Sequence, residues 1–227
     1  MANNIVKDVN KVTLQGKIVE INANIDSTIV KLSIVDPLDK RGKENEMYPV
    51  IHFYGTSVRQ LAKFQVRDHV KIECSYLYKS KRIGEKIHYE KCLSASSIEQ
   101  THRRLEAYGL YKGDYEPNKN EAIFIGTFNS KKETSNGGLL VKMTTKTSKN
   151  NTLSLDFMCY AKYQKDAIEE AKKGDQIAVV GYVKVKDNEA TEYSQTINVS
   201  TIHLLKESDT KKKELPIVSV YRNETIK

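Results

Sequence analysis

The chain has 227 residues, 39% of them hydrophobic and 29% charged, with a formal net charge of +8. That length bounds it to one large or two small domains with a modest core in each half, and no apolar run approaches the ~18 residues of a membrane span. Met1 to Val9 lacks the charged start and apolar stretch of a secretory signal, and the positive excess, spread over both halves, favours a polyanionic partner or surface.

In chain order, two-residue alternation rich in Val, Ile, Thr and Tyr predicts strands over 11–21, 27–35 and 47–55. From Ser57 to Phe64 the apolar spacing becomes helical, and alternation resumes over 69–79 and 87–98. Glu99 to Asn118, interrupted by Gly109, Gly113 and Pro117, reads as a connection. The series then starts again. Strands are predicted over 121–130, 138–146 and 152–160, then a helical stretch from Ala161 to Lys173 that Gly174 stops, then strands over 176–186 and 192–204. Beyond Leu205, a charged stretch from Ser208 to Glu214 precedes an apolar one, Leu215 to Tyr221.

The two series match position by position. Asn10 to Gly16 aligns with Asn120 to Gly126, Val30 to Ser33 with Val141 to Thr144, and Val50 to Tyr54 with Leu155 to Tyr160 after a small shift. Asp68-His69-Val70 aligns with Asp175-Gln176-Ile177, and Leu93 to Ile98 with Ile197 to Ile202. Five matches in one order indicate a duplication. Five strands with a helix between the third and fourth is the element order of an OB barrel. The expected fold is all-β with short helices: two tandem OB-fold five-stranded barrels, at 1–99 and 119–206, joined by 100–118 and followed by a tail over 207–227.

The candidate functional residues are aromatic and basic. Tyr48, Tyr54, Tyr76, Tyr78 and Tyr89 fall in the first series, and even spacing on a strand sets Tyr48 with Tyr54, and Tyr76 with Tyr78, on one face each. Lys79, Lys81, Arg82, Lys86 and Lys91 are interleaved with them, and Lys79 to Lys86 reads as the hairpin loop between strands four and five. Rings stack on bases and cations neutralise phosphates, and neither needs a particular sequence. A single strand tyrosine is first of all a β-former packing at a barrel rim; the set, interleaved with lysines on an OB pattern, points to binding. In the second series Tyr160 and Tyr182 are candidate stackers, and Lys131, Lys132 and Lys184 candidate phosphate contacts. Its loop from Asp187 to Glu192 is acidic and makes a poorer clamp. Phe53, out of phase with Tyr48 and Tyr54, belongs to the core.

The run Tyr48-Pro49-Val50-Ile51-His52-Phe53-Tyr54-Gly55, followed by Leu61-Ala62-Lys63 and Asp68-His69-Val70-Lys71-Ile72, resembles the bacterial single-stranded-DNA-binding protein family. Lys173-Gly174-Asp175-Gln176-Ile177 repeats the family's start to the fourth strand. By that resemblance Tyr48 and Tyr54 take the base-stacking positions, and Ser154 and Tyr160 their counterparts. The chain departs from the family in carrying two barrels and in ending without an acidic partner-recruiting tail.

Catalysis finds no support: there is no phosphate-binding loop, nucleophile elbow or HExxH helix, and Asp156 stands alone in its strand where a two-metal nuclease needs clustered carboxylates. Asp68 and Asp175, at equivalent strand starts, are explained by turn hydrogen bonding. Cys74, Cys92 and Cys159, odd in number and without metal-ligand spacing, read as reduced, mostly buried thiols of a cytoplasmic protein. No metal or cofactor is expected. The expected partner is single-stranded DNA, with RNA as a variant and replication or transfer proteins as further partners; monomer and homodimer both fit. The alternative is an OB-fold adaptor for partner proteins, which the acidic loop and the apolar tail favour.

Overall fold

The alternation that predicts the strands is the alternation the fold uses. The computed structural model describes residues 7–24, 27–35, 46–83, 86–101, 119–146, 152–185 and 195–205, with the side chains of 35, 79–83 and 86–90 outside the description. In β1 (Val9–Ala23), Val12, Leu14 and Ile18 turn inward and are fully buried while Lys11 and Lys17 are exposed. The chain continues through β2 (Thr28–Val35), β3 (Glu46–Met47), β4 (Val50–Phe53), α1 (Thr56–Leu61), β5 (His69–Ile83) and β6 (Lys86–Gln100). Ladders join β1 to β2, β2 to β4, β4 to β6 in parallel, β6 to β5, and β5 back to β1, closing a five-stranded barrel. Closure leaves no exposed edge on the strands it joins.

The second half comprises β7 (Lys119–Glu133), β8 (Leu139–Lys146), β9 (Thr152–Cys159), α2 (Lys162–Asp166), β10 (Gln176–Val185) and β11 (Gln195–Leu205). Its ladders repeat the order: β7 with β8, β8 with β9, β7 with β10, and β10 with β11. Where β9 meets β11, α2 supplies the link. Gln164 Nε2 donates to the carbonyls of Val199 (2.9 Å) and Ser200 (3.2 Å), and the Tyr163 hydroxyl donates to Ser200 (2.8 Å).

The matched residues do matched work. Asn10 Nδ2 donates to the Tyr76 carbonyl (2.8 Å) and its Oδ1 accepts the Tyr76 N–H (2.9 Å); Asn120 makes the same pair with Val183, both at 2.8 Å. Each amide extends a ladder by one rung from the side chain. Asp68 Oδ2 accepts the Gln65 N–H at 2.9 Å and Asp175 Oδ2 the Lys172 N–H at 2.7 Å, the turn bonding expected of them. The preceding residues both have positive φ, Arg67 at 79° and Gly174 at 102°. Glycine adopts that conformation without strain and arginine does not. Arg67→Gly is therefore expected to stabilise the fold by up to about 1 kcal/mol, the relieved strain partly offset by the unfolded-state entropy of glycine; urea denaturation measures it, and a destabilised variant would refute it.

Three elements differ from expectation. Pro49, without an N–H, divides the third predicted strand into β3 and β4. The register does not slip across it, since Val35↔Glu46, Ile34↔Met47 and Lys31↔Val50 are in phase. The stretch from Lys79 to Lys86 is ladder rather than loop: pairing of β5 with β6 runs to Ile83↔Lys86 and leaves only residues 84 and 85 between the paired ends. Lys79 to Ile83 contains no Gly or Pro to end a strand. The helical stretch expected to Lys173 is helix only to Asp166, followed by i→i−3 turns such as Ile168 N–H to Lys165 (3.2 Å). Ile168 and Ala171 still dock inward, at 0% and 9% exposure.

The halves are also bonded to each other. β1 pairs with β7 from Val9↔Ile125 to Gln15↔Lys119. The ring of Tyr76 meets Phe124 edge-on at 6.2 Å, and Phe124 lies 5.0 Å from Phe157, so one hydrophobic cluster runs through both halves. Phe53, Phe124 and Phe157 are its largest fully buried side chains, each contributing about 1.5–3 kcal/mol by burial. Cys74, Cys92 and Cys159 are buried, and none of the three is in a disulfide. Burial pushes the Cys159 thiol up to about 11 and that of Cys74 further, so both are protonated and inert near neutrality.

Candidate nucleic-acid interface

Along the third strand of the first half, Ile51 and Phe53 are fully buried in the core cluster, and the alternate positions Tyr48, Val50, His52 and Tyr54 lie on the outer side. Continuous register sets Tyr48 opposite Ser33, and Lys17 opposite Ser33 from the other flank. Tyr48 and Tyr54 are both half-exposed, and Lys17 is exposed in line with Tyr48. Tyr54 stacks on buried His52, centroids 5.7 Å apart with planes at 6°. Its neighbour Ser57 accepts the Tyr54 N–H and donates to the Tyr54 carbonyl, both at 2.9 Å, which fixes the strand end from which the ring projects.

The face is not purely basic. The Tyr48 hydroxyl donates to Glu46 Oε2 (2.5 Å) and Ser33 Oγ to Glu46 Oε1 (2.7 Å). These bonds, the Tyr48 one foremost, hold the Glu46 carboxyl below its ordinary range, and the carboxylate in turn raises the Tyr48 hydroxyl. Lys31 Nζ sits 2.6 Å from Glu20, whose carboxyl it lowers. A fixed carboxylate beside a ring repels any phosphate brought to that ring. Glu46→Gln keeps an acceptor for Tyr48 and is expected to tighten oligo-dT binding about two- to fivefold at low salt, the order of one exposed charge at a few ångströms. Acid has the same effect on the wild type: affinity rises as pH falls through the depressed value, and the variant shows no such rise. The Glu46 contribution to folding follows the opposite course, present above the ordinary Glu pKa of ~4.3 and lost as pH falls through the depressed one. A variant with wild-type affinity and an unchanged pH profile would take Glu46 off the face.

Other sequence-selected residues lie elsewhere. Tyr76 and Tyr78 do share a face, but it is the inward one. Tyr76 is 2% exposed against Phe124, so its ring is unavailable to a base. Tyr78 is half-buried with Lys91 Nζ 5.8 Å from its ring centre, and burial, then Asp156, pushes its hydroxyl up to about 12. Lys131 is exposed, and its ammonium bonds the carbonyls of Ile168 (2.8 Å) and Glu169. Tyr182 is half-buried on β10, its hydroxyl bonded to Asn198 on β11, with exposed Lys184 two residues on. Tyr160 is 63% exposed at the end of β9. Exposed Lys132 stands across from Leu140, and exposed Lys142 across from Asp156. The side chains of Tyr89, Lys79, Lys81, Arg82 and Lys86 are outside the described residues. Lys17, Lys31 and Lys142 are further cations on these strands, and their outward phase on β1, β2 and β8 is legible in the sequence.

No family model and no curated protein matches the chain. Among solved structures, the wild-type single-stranded DNA binding protein from Thermus aquaticus superposes with a TM-score of 0.61 at 16% identity, covering 88% of this chain and 95% of that one. The chain shares its fold. A deletion mutant of the same Thermus aquaticus protein gives a TM-score of 0.60 at 16% identity and the same coverage. Among the described residues no helix is long and apolar enough to cross a membrane, and no three metal-ligating side chains cluster.

Proposed function

We propose that the chain binds single-stranded DNA without chemistry and with little sequence preference, through two OB barrels at 1–99 and 119–206. The observation that carries this reading is the half-exposed pair Tyr48 and Tyr54 on the outer side of the first barrel's third strand, with exposed Lys17 in line with Tyr48. The fold shared with the Thermus aquaticus single-stranded DNA binding protein supports it. Tyr160 is the matching stacker in the second barrel, served by Lys132 and Lys142, while Lys81, Arg82 and Lys86 on the β5–β6 arm contact phosphates. One OB fold occupies ~4–16 nucleotides. The protein serves replication, recombination or transfer of DNA, and its Asn- and Lys-rich composition suits a plasmid or phage.

Fluorescence anisotropy with single-stranded DNA, RNA and duplex at two salt concentrations tests the reading. Single strands are expected to bind well above duplex, with affinity falling at a log–log slope near −0.7 per phosphate contacted. Lys81→Ala with Arg82→Ala is expected to shallow that slope by up to about one and a half units; an unchanged slope removes the arm from the site. No oligonucleotide binding at low salt would overturn the proposal in favour of a protein-binding adaptor.

A further inference from the structure

Gln195 opens β11 in the second half, yet its side chain works in the first. It is 3% exposed; its Oε1 accepts the Val50 N–H at 2.7 Å and its Nε2 donates to the Val50 carbonyl at 3.0 Å. One buried amide thus closes both backbone groups of Val50, as a neighbouring strand would. The place needs it. On one side β2 pairs with this segment through Lys31↔Val50, and the Pro49 carbonyl accepts the Leu32 N–H at 3.1 Å. On the other side the parallel ladder with β6 has its described pairs at Ile51↔Leu93 and His52↔Ser94, beyond Val50. Pro49, just upstream, has no N–H to offer any partner. Gln195 is therefore the outer support for the piece of chain from which Tyr48 projects two residues earlier.

The charge of Asp156, on the third strand of the second half, also reaches Tyr78, which pairs with Lys91 across the first half's arm. The link through Gln195 is the one built from two directed hydrogen bonds.

We propose that Gln195 is a positioning residue for the binding face: it holds the Pro49–Val50 segment, and through it Tyr48, in the geometry that receives a base, so that the second half sets how tightly the first grips an unpaired strand. This rests on the reading that Tyr48 and Tyr54 stack on DNA. A residue that served only folding would lower stability and leave affinity per folded molecule untouched; a positioning residue moves affinity through Tyr48.

The test uses the full chain with Gln195→Ala and Gln195→Met, the second keeping the side-chain length without its polar atoms. Oligo-dT affinity, hydrogen exchange at the Val50 amide and a thermal melt are measured for each, alone and combined with Tyr48→Ala. In the folded variants, Val50 exchange is expected to quicken and oligo-dT affinity to fall about three- to tenfold, on the order expected for losing a buried hydrogen-bonded pair. Tyr48→Ala is expected to cost less in the Gln195 variants than in the wild type, because the two residues act in series. Quickened exchange with unchanged affinity, or costs that simply add, would overturn the proposal. A wild type that binds oligo-dT but ignores both Tyr48→Ala and Tyr54→Ala locates the failure in the stacking face itself, and the proposal falls with it. If Gln195→Ala does not fold, the same measurements on Gln195→Met decide between the two roles.

Discussion

Tyr48→Ala combined with Tyr54→Ala is expected to weaken oligo-dT binding by about thirtyfold or more, since each stacked base contributes ~1–3 kcal/mol and 1.4 kcal/mol is tenfold. The two rings lie on one side of one strand, six residues apart, with His52 beneath Tyr54. Neither belongs to the hydrophobic cluster, which takes Ile51 and Phe53 instead, so the barrel should survive their loss. Tyr54→Ala also uncovers His52, and for that reason Tyr54→Phe and Tyr48→Phe are the controls. Both keep a ring for stacking; Tyr48→Phe gives up only the hydroxyl bond to Glu46. The phenylalanine variants are expected to bind within a few-fold of wild type. Anisotropy titrations at constant salt decide the matter, and wild-type affinity in the double alanine variant would mean that the strand passes elsewhere.

Gly16→Ala is expected to destabilise the protein by about 3 kcal/mol, as overpacking against an unyielding neighbour does. A Cβ at Gly16 would sit 2.3 Å from the Ser33 carbonyl oxygen and 2.9 Å from Ile34 Cγ1. That carbonyl belongs to β2 where it crosses β1 beside Lys17↔Ser33, and it cannot retreat without opening the ladder that closes the barrel. Gly126 meets the same obstacle in the second half, 2.2 Å from the Thr144 carbonyl oxygen, and Gly126→Ala should cost as much. Gly55 is the contrast: no atom lies within 4 Å of where a methyl would stand, so Gly55→Ala meets no clash and bears only the backbone penalty of its φ +53°, ψ −118° conformation, about 2 kcal/mol. Urea denaturation of the three variants measures the order, and a loss below about 1 kcal/mol at Gly16 would contradict the close approach.

The repeated chemistry is legible in the sequence. Asn10 with Asn120, Gly16 with Gly126 and Asp68 with Asp175 match by spacing alone, and each pair performs one backbone task twice. Part of the face is legible too. Two-residue alternation separates Phe53, which goes inward, from Tyr48 and Tyr54, which stay half-exposed.

That same alternation fails at Tyr76 and Tyr78 for a physical reason. Period two says which residues share a face but not what the face meets, and Phe124, which packs on Tyr76, and Asp156, whose charge reaches Tyr78, come from the other half of the chain. The charge of Lys131 is visible in the sequence, but the carbonyls of Ile168 and Glu169 that its ammonium bonds are not. Local periodicity thus determined the strands and their inner and outer sides, since those depend on residues a few positions apart, and the recurrence of the same segments in the same order showed the repeat. Only the tertiary structure decided that β1 would pair with β7 and that Gln195 would close Val50, because partners so distant in the chain are chosen by how two surfaces pack.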